Sequence, residues 1–221
     1  MVLEIDNIEL NFDKKRILSG IYVKAQKGEV TGILGRNGSG KTSLFNIIQG
    51  NLKPKYKSIR IDGKNQKRKL YLSNHVGYLP QHSLLPKGLK ISKAFALFNV
   101  DWGVFTQVFE TFKIYKNHNV SKLSTGEIRL IETFLVLHMK KDILLLDEPF
   151  SFIAPVYVER IKALILAKKD ESIILISDHF YRDILEVSDK IYLLKAGCSK
   201  LVENEQDLAN NGYLSPSSRQ R

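Results

Sequence analysis

The sequence predicts an α/β protein with a mostly parallel central sheet, an N-terminal antiparallel β layer and a short helical insertion. Three observations carry that prediction. Four continuous apolar runs, EVTGILG (29–35), DILLLDE (142–148), SIILISD (172–178) and KIYLLKAG (190–197), lack the alternation of a strand with one wet face, so they read as strands buried on both sides. Helical patterns separate them, as in a parallel sheet wrapped by helices. The first thirty residues differ: VLEIDNIEL and ILSGIYVKAQ alternate apolar and polar side chains, which suits an antiparallel layer facing solvent on one side.

In chain order, the run 29–35 opens into a glycine-rich turn and a helix that begins near Gly40. Residues 57–62 alternate like a half-buried strand and end at an Asp62-Gly63 turn. They sit inside NLKPKYKSIRIDGKNQKRKL (51–70), where Lys53, Lys55, Lys57, Arg60, Lys64, Lys67, Arg68 and Lys69 face Asp62 alone. Eight minus one puts +7 of the chain's net +11 into twenty residues, a local patch that reads as a solvated edge hairpin. GYLPQ closes a further strand. Residues 82–122 hold ISKAFALFNV and VFTQVFETF, short amphipathic or aromatic-rich pieces that form the helical insertion. Helical spacing returns with Ile128, Leu130, Ile131, Phe134 and Leu135, and again from Val156 to Ala167. The expected organisation is one domain over 1–221, with 82–122 as a helical subdomain and 211–221 as a frayed tail.

A chain of 221 residues, 43% of them hydrophobic, suffices for one sizeable core. Its single cysteine, Cys198, excludes an internal disulfide, and MVLEIDNIEL has acidic residues where a secretory leader has basic ones, so a reducing compartment is expected. No stretch approaches the roughly 18 apolar residues of a spanning helix, which leaves only peripheral membrane roles.

Chemistry concentrates in three motifs. GRNGSGKT (35–42) matches the phosphate-binding P-loop pattern and lies between a buried strand and a helix, where that loop must lie. Gly35, Asn37, Gly38, Ser39 and Gly40 let backbone N–H groups converge on phosphate oxygens, Lys41 adds a point charge, the Thr42 hydroxyl is a Mg²⁺ ligand, and Ser43 continues the cradle. ILLLDEP places Asp147 at the end of a buried strand, the position of a metal-side carboxylate. Glu148 follows, set to polarise an attacking water. LSTGEIRL (123–130) opens a helix with a Ser hydroxyl and a Gly backbone, Ser124 and Gly126, a second place built for an anion.

Together, these motifs in this order resemble the ATP-binding cassette family of ATPases, over nearly the whole chain. The resemblance implies a P-loop NTPase with a RecA-like core (1–81 and 123–210), with ATP and Mg²⁺ as ligands. It implies that Ser124 and Gly126 close over the γ-phosphate of ATP held by a second copy or a related subunit. Gln81 matches the glutamine that touches metal and attacking water, His179 the histidine that contacts the γ-phosphate, and Phe12 the aromatic that stacks on adenine. Three positions depart from the pattern: Thr125 replaces a second glycine, Ala154 stands where an aspartate is common, and only 41 residues (82–122) separate Gln81 from Leu123. DEPFSFIAP, SDHF and LANNGYL look most like the cassettes of lipopolysaccharide export and branched-chain amino acid uptake.

The leading expectation is therefore an ATP-hydrolysing transporter subunit, cytoplasmic and peripheral on the inner face of the cell membrane, driving a polytopic membrane subunit. The rival is a non-transport cassette acting on nucleic acid or the ribosome, with residues 51–70 on phosphates. Against it, the chain lacks the second cassette of translation-type members and the long coiled coils of repair-type members. A third class, a nucleotide-binding regulator with impaired hydrolysis, rests on Thr125 and Ala154 but leaves both carboxylates and the histidine unexplained.

Overall fold

The structure, a computed structural model, describes residues 1–13 and 15–214. The first strand, β1 (Val2–Phe12), turns Leu3, Ile5, Ile8 and Leu10 inward and pairs antiparallel with β2 (Lys15–Gln26). The run 29–35 becomes β3 (Val30–Leu34), buried at all five positions, and leads into α1 (Lys41–Gln49). Next come β4 (Tyr56–Ile61) and β5 (Lys64–Asn65), a 3₁₀ turn over Leu70–Ser73, and β6 (Val76–Leu79). The insertion supplies α2 (Ile91–Leu97) and α3 (Trp102–Val108), followed by two 3₁₀ turns. The chain then alternates: α4 (Thr125–Leu137), β7 (Ile143–Asp147), α5 (Pro155–Lys168), β8 (Ile173–Ser177) and α6 (Tyr181–Val187). It closes with β9 (Lys190–Lys195), β10 (Cys198–Val202) and α7 (Glu205–Asn210).

Two sheets result. The antiparallel layer has the order β2-β1-β4-β5, and the central sheet has the order β10-β9-β3-β8-β7-β6. Strands β9, β3, β8, β7 and β6 run parallel, and β10 is an antiparallel edge. The sequence pattern does not announce β10, because Cys198, Lys200 and Leu201 are open to solvent. Its place is set by contacts: Ser199 Oγ accepts the Tyr22 N–H at 2.8 Å and donates to the Tyr22 carbonyl at 2.7 Å, joining the two sheets.

Continuous apolar strands make sense once both faces are covered. Ile33, Leu145 and Leu175 point into a core shared with α1 and the antiparallel layer, whereas Leu34, Leu144, Leu146, Ile174 and Ile176 point into the opposite core. The insertion belongs to that second core. Phe95, Phe105, Phe109 and Phe112 close on Phe134 of α4, with Phe105 and Phe134 edge-to-face at 4.9 Å between centroids. Asp101 caps α3 by accepting from the Gly103 and Val104 N–H groups.

Of the stretch expected as a frayed tail, Asn211–Leu214 are held. Arg36 donates to the Gly212 carbonyl at 3.0 Å, Lys195 to that of Asn211 at 2.5 Å, and Tyr213 and Leu214 pack on the second core. Residues 215–221 lie outside the described residues. Among the described residues, no helix is long and apolar enough to cross a membrane. The carboxyl ends of β3, β6, β7 and β8 open along one edge of the sheet, where ligands of such folds bind.

Candidate active site

At the end of β3 the chain turns through Gly35–Gly40. Gly38 (φ 79°) and Gly40 (φ 100°) take left-handed backbone that a β-carbon would strain, and Gly40 stands as the N-cap of α1 with no side chain capping it. A Cβ at Gly35 would sit 2.4 Å from Ser39 Oγ, so only glycine lets the loop close on itself. Lys41, 6% exposed, folds back to donate to the Gly35 carbonyl at 2.7 Å. Burial holds its ammonium below the usual lysine range, opposed by Glu148, Asp147 and Asp178. The Ser39 hydroxyl oxygen is buried without a hydrogen-bond partner among the described residues.

Asp147 ends β7 fully buried. Ser177 Oγ donates to its Oδ1 at 2.5 Å, while Oδ2 has no hydrogen-bond partner among the described residues. Burial raises this carboxyl above its ordinary value, against the opposing pull of the Ser177 and Thr42 hydroxyls and the Lys41 ammonium. Glu148 would face the other side of a regular strand. It instead adopts φ 58°, which breaks the alternation and leaves Glu148 facing the same edge as Asp147.

Two further expected residues converge on Glu148. Gln81, two residues past β6, donates from Nε2 to Glu148 Oε1 at 3.0 Å, and His179 Nδ1 lies 3.9 Å from Oε2. Asp178 fixes the loop around His179: buried, it accepts the N–H groups of Phe150, His179 and Phe180 at 3.0, 2.7 and 3.1 Å. Burial pushes its carboxyl upward as well. Phe12, 48% exposed, lines a cavity of about 480 Å³ with Ile17, Lys41, Thr42, Gln81 and Glu148.

Sequence reasoning passed over the two side chains that hold this edge together. Arg129, 5% exposed on α4, donates to the carbonyls of Pro80 (2.6 Å), Asp147 and Glu148 (3.1 Å). One turn later Glu132, 1% exposed, accepts from Ser83 Oγ and the Leu84 and Leu85 N–H groups at 2.7, 2.7 and 2.9 Å. Arg129 thus grips the backbone on which Glu148 stands, and Glu132 the loop that carries Gln81. A signal was present: two opposite charges three apart within the apolar run of α4 are costly unless paired and bonded.

The second expected anion site is the N-terminus of α4. Ser124 is the N-cap of α4, its Oγ accepting the Glu127 N–H at 3.3 Å while Glu127 Oε2 accepts the Ser124 N–H at 2.8 Å. Gly126 is glycine for a reason inside this chain: a Cβ there would lie 2.1 Å from the Phe152 carbonyl oxygen. Phe152 itself is 77% exposed, beside Ala154, the uncapped N-cap of α5.

The chain as a whole is similar to known proteins. A family profile described as ABC transporter matches residues 18–151. The chain is 28% identical over 212 residues to the lipopolysaccharide export system ATP-binding protein LptB of Haemophilus influenzae, covering 89% of this chain and 88% of that protein. It is 31% identical over 202 residues to the zinc import ATP-binding protein ZnuC of Wolbachia sp. subsp. Brugia malayi, covering 86% and 78%. Among solved structures, an ATP-binding subunit of an ABC transporter superposes with TM-score 0.79 at 18% identity, covering 98% of this chain and 95% of that one. A nucleotide-free ATP-binding cassette superposes with TM-score 0.76 at 22% identity, covering 99% and 97%. These relatives carry transporter names, which speaks against a nucleic-acid or ribosome role. The chain therefore belongs to the ABC transporter family, as one of its ATP-binding, ATP-hydrolysing subunits.

Proposed function

We propose that Glu148 is the general base of ATP hydrolysis, and that two such cassettes close around ATP to drive a separate membrane subunit. The observation that carries this reading is the set of contacts on the Glu148 carboxylate: Gln81 donates to one oxygen at 3.0 Å, Ser151 Oγ donates to the other at 3.3 Å, and His179 lies 3.9 Å from that second oxygen. A carboxylate held on both oxygens keeps a fixed orientation with lone pairs free for a water, which is what base catalysis of phosphoryl transfer needs. Phosphate oxygens lie in the amides of Gly38–Ser43 with Lys41 alongside, and adenine rests on Phe12.

The Thr42 hydroxyl, the Asp147 carboxylate and the Gln81 amide oxygen are hard oxygen donors, and the buried Asp147 Oδ2 has no hydrogen-bond partner among the described residues, so the set fits Mg²⁺. Bound there, the ion supplies charge neutralisation to the phosphates. The chain's own residues do the rest: Ser177 fixes the Asp147 carboxylate, Arg129 fixes the backbone of Glu148, and Gln81 holds its oxygen.

Ser124 and Gly126 complete the site of the second cassette, either another copy or a related chain. The relatives' names cover both export and import, so cargo and direction belong to the membrane subunit, which holds this chain at the inner face of the membrane. The test is Glu148→Gln. Nucleotide titration should give near-normal ATP affinity, while phosphate release falls on the order of 10²-fold or more. Near-normal turnover would remove Glu148 from the role.

A further inference from the structure

The cationic stretch 51–70 takes no part in the site above, and the structure divides its eight basic residues. Lys55 pairs with Glu9 at 3.2 Å, and Arg60 with Glu4 at 3.3 Å and Asp6 at 3.6 Å, on the outer face of β1 and β4. Lys53, Lys57, Lys64, Lys67, Arg68 and Lys69 are exposed and have no ion pair among the described residues. Asp62, the one acid in the stretch, is engaged with the Val2 N–H at 2.7 Å. Backbone pairing gathers these cations. Asn65 pairs with Arg60, and the Gln66 N–H donates to the Ile59 carbonyl at 2.8 Å, so residues 64–69 run back toward the end of β4 that carries Lys57. Immediately beyond, Tyr71 is 41% and Leu72 68% exposed.

We propose that this edge rests on the anionic headgroups of the membrane in which the transporter's other subunit is embedded, an inference that depends on the membrane-associated reading above. Six unpaired cations beside an exposed Tyr and Leu match such a surface on both counts. Ammonium and guanidinium groups meet lipid phosphates, and the aromatic and aliphatic side chains enter the interfacial layer. A nucleic acid suits the edge less well. Its bases want free aromatic faces along a groove, whereas Lys55 lies over the Tyr56 ring at 5.0 Å and Lys69 over Tyr71 at 5.6 Å. Protection of a bare sheet edge accounts for little of the charge, since only Lys64 of the six belongs to the edge strand β5.

The experiment is flotation of the full chain with phosphatidylcholine vesicles, with and without phosphatidylglycerol. The expected result is capture only by the phosphatidylglycerol vesicles, weakening at high salt. Joint replacement Lys67→Glu, Arg68→Glu and Lys69→Glu should lower partitioning on the order of a hundredfold, and Leu72→Ser several-fold by roughly one lost side chain's burial. Unchanged flotation of the triple variant, failure of the parent to bind phosphatidylglycerol vesicles, or capture of a short RNA duplex in place of vesicles would each overturn the proposal. ATP hydrolysis is measured on the same preparations. A parent chain that hydrolyses ATP but does not float sinks the lipid contact alone, whereas a parent chain that never hydrolyses ATP strikes at the proposed function and leaves the vesicle result standing.

Discussion

Helices α1 and α4 each start beside a glycine, at places where the sequence offers a seat to an anion, yet their N-termini are finished differently. At α1 the cap is Gly40 in left-handed backbone, no side chain accepts a first-turn N–H, and no acidic residue lies in the first turn. At α4 the cap is a full capping box, Ser124 and Glu127 bonding to each other's backbone. The first helix end leaves its donors and its positive field to a ligand. The second bonds one first-turn donor itself, the Glu127 N–H to Ser124 Oγ, and sets the Glu127 carboxylate on the Ser124 N–H, so an anion arriving there meets a helix end that already carries a negative charge. That difference matches the proposed division of labour, in which α1 binds phosphate by itself and α4 contributes only when a second cassette brings the phosphate to it.

The sharpest way to break the comparison is Ser124→Arg. An arginine here fills the approach to α4 and leaves the loop before α1 untouched. ATP affinity should stay near normal while ATP-driven dimerisation, followed by analytical ultracentrifugation of a slow-hydrolysing background, disappears. A dimer that still forms would remove α4 from the interface.

Gly126→Ala tests the part of α4 that is structural whatever its partner does. The added carbon meets the Phe152 carbonyl oxygen at 2.1 Å, so backbone must move, at a cost of about 1–3 kcal/mol. A thermal or urea melt reads this directly, and an unchanged midpoint would mean that the 152–154 turn gives way freely.

Arg129→Lys carries the smallest of these effects and sharpens the comparison from the other side, since α4 serves its own chain's site through its flank. Lysine keeps the charge but loses the fork that reaches the carbonyls of Pro80, Asp147 and Glu148 together. Turnover should fall about tenfold with KM nearly unchanged, as expected when an interaction made mainly in the transition state weakens. A rise in KM at constant kcat would assign Arg129 to nucleotide binding instead.

Local pattern was enough for some of this architecture. The continuous runs that became β3, β7, β8 and β9 were legible because strands buried on both faces have no polar alternation to hide behind. The loop before α1 was legible because its chemistry is written in adjacent residues. Strand β10 was not: Ser199 is held by Tyr22, far away in sequence, and no local period records that bond. Arg129 and Glu132 were overlooked for the same reason, their partners lying 18 to 49 residues away along the chain.

By itself, then, the sequence determined the layered α/β fold, the phosphate loop and the two carboxylates at the end of a buried strand, because hydrophobic period and glycine chemistry act over a few residues; the glutamine and histidine were implied only by the family resemblance. Tertiary structure alone decided that Glu148 takes φ 58° and so stands beside Asp147, that Gln81 reaches it, and that six of the basic residues in 51–70 find no ion pair among the described residues while two do. Those outcomes depend on which strands become neighbours, and only the folded sheet brings their partners within bonding distance.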